Sequence, residues 1–367
     1  MIGDINFPAV YLEHLPEFRQ ALDDFIAGGY YIGGPLVDQI EDEVRRYVGA
    51  QFAVGCKSGT HALQLALLAA GVGPGDEVIT VANTYYATAW AVTSLGARPV
   101  FCDVRPEDGL LDPARLEGCL SARTRAVLPV HLYGVSAAMS EIGDFARAHN
   151  LRVIEDCAHA FGSAYKGRSV GADSEFACLS FYPTKSFGAF GDAGMVLTHS
   201  GEHAEAMTRA RYFANGDRTE FDPRALHARL DPLQAALLSV VLRHFPGMAR
   251  RRRELGALYR SLLSAEVRQM PDGPEQDVTP YVFPVFVEDR DELVAFARAR
   301  GVGLQVHYAT NLHRLPEFGG AGAGTLPHTE RHNAQVVSLP LHPSLGDDDA
   351  ARVCDAVNEF VAERVRA

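Results

Sequence analysis

The sequence predicts an α/β protein, a mostly parallel sheet between helices followed by a smaller α+β unit. Short apolar runs alternate with helix-length segments over the first 230 or so residues. Those runs are apolar throughout, as strands covered on both faces are. The texture then changes, and one long helical pattern begins near Asp231.

Each element follows from its own residues. Val37, Ile40, Val44 and Val48 form a helical stripe, with Gly34-Pro35 supplying a turn and a proline near the first helical position. Phe52-Ala53-Val54 is a short apolar run, and residues 62–67 are helix-forming. Strands are expected at 77–81, 99–102, 126–130 and 151–154, with helices at 87–95 and 140–149 between them. The pattern from 231 to 265 carries Phe245-Pro246-Gly247, where the proline is expected to break or kink the helix. Beyond it come an apolar run at 281–287, a helix at 291–300, a Gly-bounded strand at 302–306, a Gly-rich loop at 319–324 and a terminal helix from Asp347. Domains are expected at 1–240 and 241–367, with the long helix as the joint.

Composition narrows the function. The net charge of −12 argues against a nucleic-acid or anionic-membrane binder, which needs a basic face. No apolar run approaches the ~18 residues of a membrane span. The acidic start, MIGDINFPAV, lacks the basic and apolar regions of a signal peptide, so a cytoplasmic protein is expected. Cys56, Cys102, Cys119, Cys157, Cys178 and Cys354 form no CxxC pair and read as small hydrophobes, so no metal centre is expected.

Three constellations could carry chemistry. Ser58-Gly59-Thr60-His61 opens a helix, and a small-residue turn at a helix start presents unpaired N–H groups to a phosphate. The same residues would also serve as a plain cap, the commoner role of such a turn. Asp156 ends the apolar run Val153-Ile154, where α/β sheets place ligands, and a carboxylate there needs a cation. That cation is either a metal or the protonated ring nitrogen of a cofactor, although a strand-end Asp can also just cap a turn. Lys185 follows the strand-and-turn sequence Leu179-Ser180-Phe181-Tyr182-Pro183-Thr184 and precedes glycines. Most lysines are surface residues, but an amine among aromatics and Gly stays partly neutral and attacks aldehydes. Together, a Schiff-base Lys, an Asp for a pyridinium and a helix start for a phosphate match pyridoxal 5'-phosphate chemistry.

The ordered segments GCKSGTHALQLAL, GPGDEVITVANTYYATAWAV, LPVHLYG, VIEDCAHAFGS, LSFYPTKSFGAFGDAGMV and RLDPLQAALL closely resemble the DegT/DnrJ/EryC1/StrS aminotransferases. The resemblance runs from about Gly33 to VSLPLHPSLGDDD. It implies a fold-type-I pyridoxal-phosphate enzyme that transfers an amino group, from glutamate, to a keto-sugar linked to a nucleotide. It also implies a homodimer with shared active sites. Position by position, Lys185 would join the cofactor aldehyde and shuttle the proton. Asp156 would pair with the ring nitrogen, and His159 would sit on the ring-hydroxyl side. Tyr85 would stack on the ring, while Gly59, Thr60 and Ser180 would hold the phosphate. Relatives that dehydrate sugars carry His at the lysine's place, so Lys185 favours transamination. His227 stands where many members have an Asn that reaches the partner subunit's phosphate, and His159 where many have Gln.

Two alternatives accompany that implication: amination of an inosose-type keto-cyclitol, and a non-catalytic cofactor-binding regulatory protein. Arg211, Arg218 and Arg229 are available for a substrate diphosphate. Tyr182, His307 and Tyr308 line the pocket or pack the core. Gly71-Val72-Gly73-Pro74-Gly75 follows a helix and reads as a turn. His328 and His332 are four apart with no third ligand. Arg250 to Arg253 read as a solvated or inter-subunit face.

Overall fold

The computed structural model describes residues 1–3, 7–212, 224–271, 273, 275–319 and 324–366. Its helices are α1 (Phe7–Tyr11), α2 (Leu15–Gly28), α3 (Pro35–Val48), α4 (Gly59–Ala69), α5 (Tyr86–Thr93), α6 (Met139–Ala148), α7 (Gly201–Ala210), α8 (Pro232–Leu262), α9 (Arg290–Ala299), α10 (Pro327–Gln335) and α11 (Asp347–Arg366). Its strands are β1 (Phe52–Cys56), β2 (Glu77–Thr80), β3 (Arg98–Phe101), β4 (Thr124–Val127), β5 (Arg152–Asp156), β6 (Ala164–Tyr165), β7 (Arg168–Ser169), β8 (Phe176–Ser180), β9 (Gly194–Thr198), β10 (Arg268–Gln269), β11 (Gln276–Asp277), β12 (Phe283–Phe286) and β13 (Val336–Leu339).

Seven strands form the main sheet in the order β1-β9-β8-β5-β4-β2-β3. The pairs from β3 through β8 are parallel, whereas β9 runs antiparallel to both β8 and β1. Both faces are covered, as the uninterrupted apolar runs require. Cys178 and Val196 point into one core, with Leu65 and Ala66 of α4. Their neighbours Leu179, Met195 and Leu197 point into the other, with Val37, Ile40 and Val44 of α3. The parallel strands therefore end together, and Asp156 is the last residue of the central β5.

A three-stranded antiparallel sheet, β10-β12-β13, packs with α9, α11 and the end of α8 into a third core. Ile2 joins this core, and its N–H donates to the Gly301 carbonyl at 2.8 Å. Helix α8 spans two cores, giving Phe245 to one and Leu255 and Tyr259 to the other.

Two expectations need correction. Helix α8 runs unbroken for 31 residues with Pro246 inside it. The proline is exposed while Phe245, Met248 and Ala249 are buried, so packing outweighs one lost backbone bond. Residues 302–306 form no regular strand: Val302 bridges to Ile2 and Gln305 to Ser338 of β13. Those partners lie on different segments, so no ladder builds up. Within the expected Gly-rich loop, residues 320–323 lie outside the described residues. Residues 71–75 form the turn after α4, as expected. Five cysteines are buried and Cys119 is partly so, all with free thiols. Among the described residues no helix is long and apolar enough to cross a membrane.

Candidate active site

The strand ends and the start of α4 enclose a cavity of about 460 Å³. Lys185, Asp156, His159, Gly59, Thr60, Tyr85 and Ser180 all line it, so seven of the eight predicted site residues meet there. Tyr182, His307 and Tyr308 line it too.

Asp156 is held at the end of β5 by its strand pairing with β8, where it faces Cys178. Only 6% of it is exposed. Oδ2 accepts from the Thr88 hydroxyl at 2.8 Å, and Oδ1 accepts from the Ala158 N–H at 3.1 Å. Thr84 extends this row, its Oγ1 lying 3.1 Å from that of Thr88. Burial raises the carboxyl above its usual range, opposed by those donors and by the Lys185 ammonium. No ion pair reaches Asp156 among the described residues.

Lys185 sits after the Pro183 turn, with its Nζ 4.6 Å from the centre of the Tyr281 ring. Burial pushes the amine down to about 8, with the Asp156 carboxylate opposing. A useful fraction is therefore unprotonated near neutrality, as a nucleophile toward an aldehyde requires.

His159 is buried, and its ring lies 4.2 Å from that of Tyr281 at 30°. Nδ1 accepts from the Tyr133 N–H at 3.3 Å, which leaves the ring proton on Nε2, 3.2 Å from the Tyr308 hydroxyl. Burial and the neighbouring Lys185 hold this imidazole well below its normal pKa, so it is neutral. The side chain of Tyr85, 44% exposed, forms the outer wall, its ring 5.8 Å from that of Tyr308.

At the start of α4, Ser58 caps the helix by accepting from the His61 N–H. The first N–H groups of a helix have no acceptor within it, which leaves those of Gly59 and Thr60 for a ligand. The approach of this turn to the sheet is tight. A Cβ on Gly59 would stand 2.6 Å from the Ser180 Cβ, and one on Gly194 would stand 2.4 Å from the Ser58 carbonyl carbon. Both glycines are needed to bring Ser180, the last residue of β8, against the helix start.

These residues fit a phosphorylated pyridine aldehyde. The buried Asp156 carboxylate lacks the cation that a ring N–H would supply. The helix start and Ser180 form a concave donor cradle suited to a phosphate. A neutral-prone amine stands in the same cavity for the aldehyde.

The eighth site residue is elsewhere. His227 is exposed, and its Nε2 accepts from an Arg229 terminal nitrogen at 2.6 Å; it does not line this chain's cavity. Arg211 is not available for a substrate diphosphate, because it is buried against Glu41 at 2.6 Å and the Gly55 carbonyl at 2.7 Å. Arg218 lies outside the described residues. The arginine run is divided: Arg250 is exposed, whereas Arg251 binds the Leu345 carbonyl and Asp347, Arg252 is buried, and Arg253 binds the Gly162 carbonyl and Asp277. His332 is buried, with Nε2 2.9 Å from the Tyr133 hydroxyl, an internal contact.

Sequence reasoning missed Thr88, Tyr281 and Tyr133 as parts of the site. Thr88 had a signal, since it repeats Thr84 at helical spacing beside Tyr85. Tyr281 had none.

Residues 13–358 match the profile of the DegT/DnrJ/EryC1/StrS aminotransferase family. The chain belongs to this family. Its aminotransferases use pyridoxal phosphate, the group the cavity fits, and the fold is that of the family's sugar aminotransferases. The chain is 39% identical to a dTDP-3-amino-3,4,6-trideoxy-alpha-D-glucose transaminase of Streptomyces venezuelae, over 98% of this chain and 96% of that one. It is 38% identical to a pleiotropic regulatory protein of Geobacillus stearothermophilus, over 95% and 96%. The crystal structure of S. venezuelae DesV in complex with a ketimine intermediate superposes with a TM-score of 0.95 at 38% identity, covering 98% of each chain.

Proposed function

We propose that this member of the family moves an amino group from glutamate to the ketone of a nucleotide-linked sugar. One observation carries the assignment: Lys185 and Asp156 line the same cavity, with a helix start and Ser180 forming a phosphate cradle at its edge. Pyridoxal phosphate bound there supplies an electron sink for the carbon that gains or loses a proton. Asp156 holds a proton at the ring nitrogen, supported by Thr88 and Ala158 on its two oxygens. Lys185 carries the proton to and from the reacting carbon. His159 donates its Nε2–H at the ring-hydroxyl side, and Tyr85 covers the outer face of the ring. Gly59, Thr60 and Ser180 hold the phosphate.

The relatives that carry nucleotide-sugar names support the acceptor class. An intact Lys and Asp support turnover over a purely regulatory role, despite the name of one relative. In this reading the protein is a cytoplasmic homodimer, and His227, which does not line its own chain's cavity, reaches the partner's cofactor phosphate. The domains divide near residue 240, within α8.

Purified protein is expected to be yellow, with a visible band that glutamate shifts toward the pyridoxamine spectrum. Lys185→Ala should abolish that shift, a loss of at least about 10³-fold, while circular dichroism stays unchanged. A protein that remains colourless with added cofactor overturns the assignment.

A further inference from the structure

A second cavity, of about 110 Å³, adjoins the first and shares Thr184, Lys185, Tyr281 and His307 with it. It is lined by no acidic residue, yet its wall includes Arg252, a cation only 5% exposed. One terminal nitrogen of Arg252 donates to the carbonyls of Pro280, Tyr281 and Leu341 at 3.0–3.3 Å. Its Nε is buried without an acceptor, no bond runs from its other terminal nitrogen, and no carboxylate pairs with it among the described residues. Burial pushes the guanidinium down to about 10, which still leaves it charged at neutral pH. A buried charge without a counter-ion is costly, and an anion that enters this cavity relieves that cost. Beside it, the buried Ser186 hydroxyl also has no partner.

We infer that this cavity is the carboxylate subsite of the amino donor, with Arg252 as its counter-ion and Ser186 as a second donor of hydrogen bonds. The inference rests on the aminotransferase assignment and deepens it by naming where a dicarboxylic amino acid is recognised. Lys185 stands in the wall common to both cavities, so a carboxylate on Arg252 leaves the donor's amine beside the Lys185 amine. The volume suits a carboxylate with a short methylene arm, at about 30 Å³ per water-sized group. The main cavity meanwhile keeps its space for the sugar.

The test uses the cofactor-loaded protein with glutarate and glutamate as probes. Glutarate, a dicarboxylate without an amine, should raise the melting temperature of the parent and not that of Arg252→Met. In Arg252→Met the glutamate concentration for half-maximal cofactor conversion should rise about thirtyfold, the worth of a hydrogen bond to a charged group. Arg252→Lys should recover part of the loss. The cofactor's absorbance before glutamate, which reports Lys185 and Asp156, should match the parent. Should Arg252→Met fail to fold, Gln305→Glu, at an exposed position on the cavity wall, should weaken both glutarate and glutamate by like-charge repulsion. Unchanged glutamate dependence and an unchanged glutarate shift in these variants would overturn the subsite. Absence of any spectral response to amino acids in the parent would instead overturn the aminotransferase assignment.

Discussion

At the residue scale, the site works through an amine whose protonation burial has shifted in a useful direction. Lys185 is lowered to about 8, so below that pH most of the amine is protonated and cannot attack an aldehyde. The rate of cofactor uptake by stripped protein is therefore expected to rise with pH through about 8 and to level off above it. An amine at its ordinary value would keep rising beyond pH 10, and stopped-flow absorbance separates the two. Thr88 has a different role, since its hydroxyl donates to the Asp156 carboxylate. Thr88→Val removes one of the two donors on Asp156 and leaves a buried oxygen unsatisfied, at about 1–3 kcal/mol. The expected result is a drop of about tenfold or more in the glutamate half-reaction, with Asp156→Asn falling much further. Stopped-flow conversion at saturating glutamate measures both.

At the element scale, α8 binds the two regions of the molecule together. Its Arg251 and Arg252 bond to carbonyls of the C-terminal half, and Arg253 clamps Gly162 and Asp277. Pro246 lies inside this helix at an exposed position. Pro246→Ala restores a backbone N–H worth up to about 3 kcal/mol in a helix interior, less about 1 kcal/mol for the freer unfolded chain. A net gain of about 2 kcal/mol in chemical denaturation, with activity retained, is the expected outcome. From α3 to β5 the helix–strand alternation was legible before any coordinates, because its strands are short apolar runs; β9 and β13, equally buried, were not expected. The strand expected at 302–306 does not form, because Val302 and Gln305 pair with Ile2 and Ser338, which lie near opposite ends of the chain.

At the scale of the whole molecule, large aromatic side chains remain exposed, among them Tyr86, Trp90, Phe190 and the cavity-lining Tyr182. The homodimer proposed above would cover exposed rings of this kind. Sedimentation equilibrium should give about twice the 39.8 kDa chain mass. His227→Ala should then weaken cofactor binding without altering this chain's own cavity; a monomer with full cofactor affinity would remove the shared-site proposal. The sequence alone determined the family, the helix–strand alternation from α3 to β5, and the Lys, Asp and glycine positions, since these depend on local pattern and motif. Only the tertiary structure decided which cations are committed. Arg211 is taken by Glu41, 170 residues away, whereas Arg252 has no counter-ion among the described residues and lines a cavity with the lysine. Thr88 likewise meets Asp156 across 68 residues. Whether a buried charge is paired depends on groups brought together by folding, and no stretch of sequence contains that information.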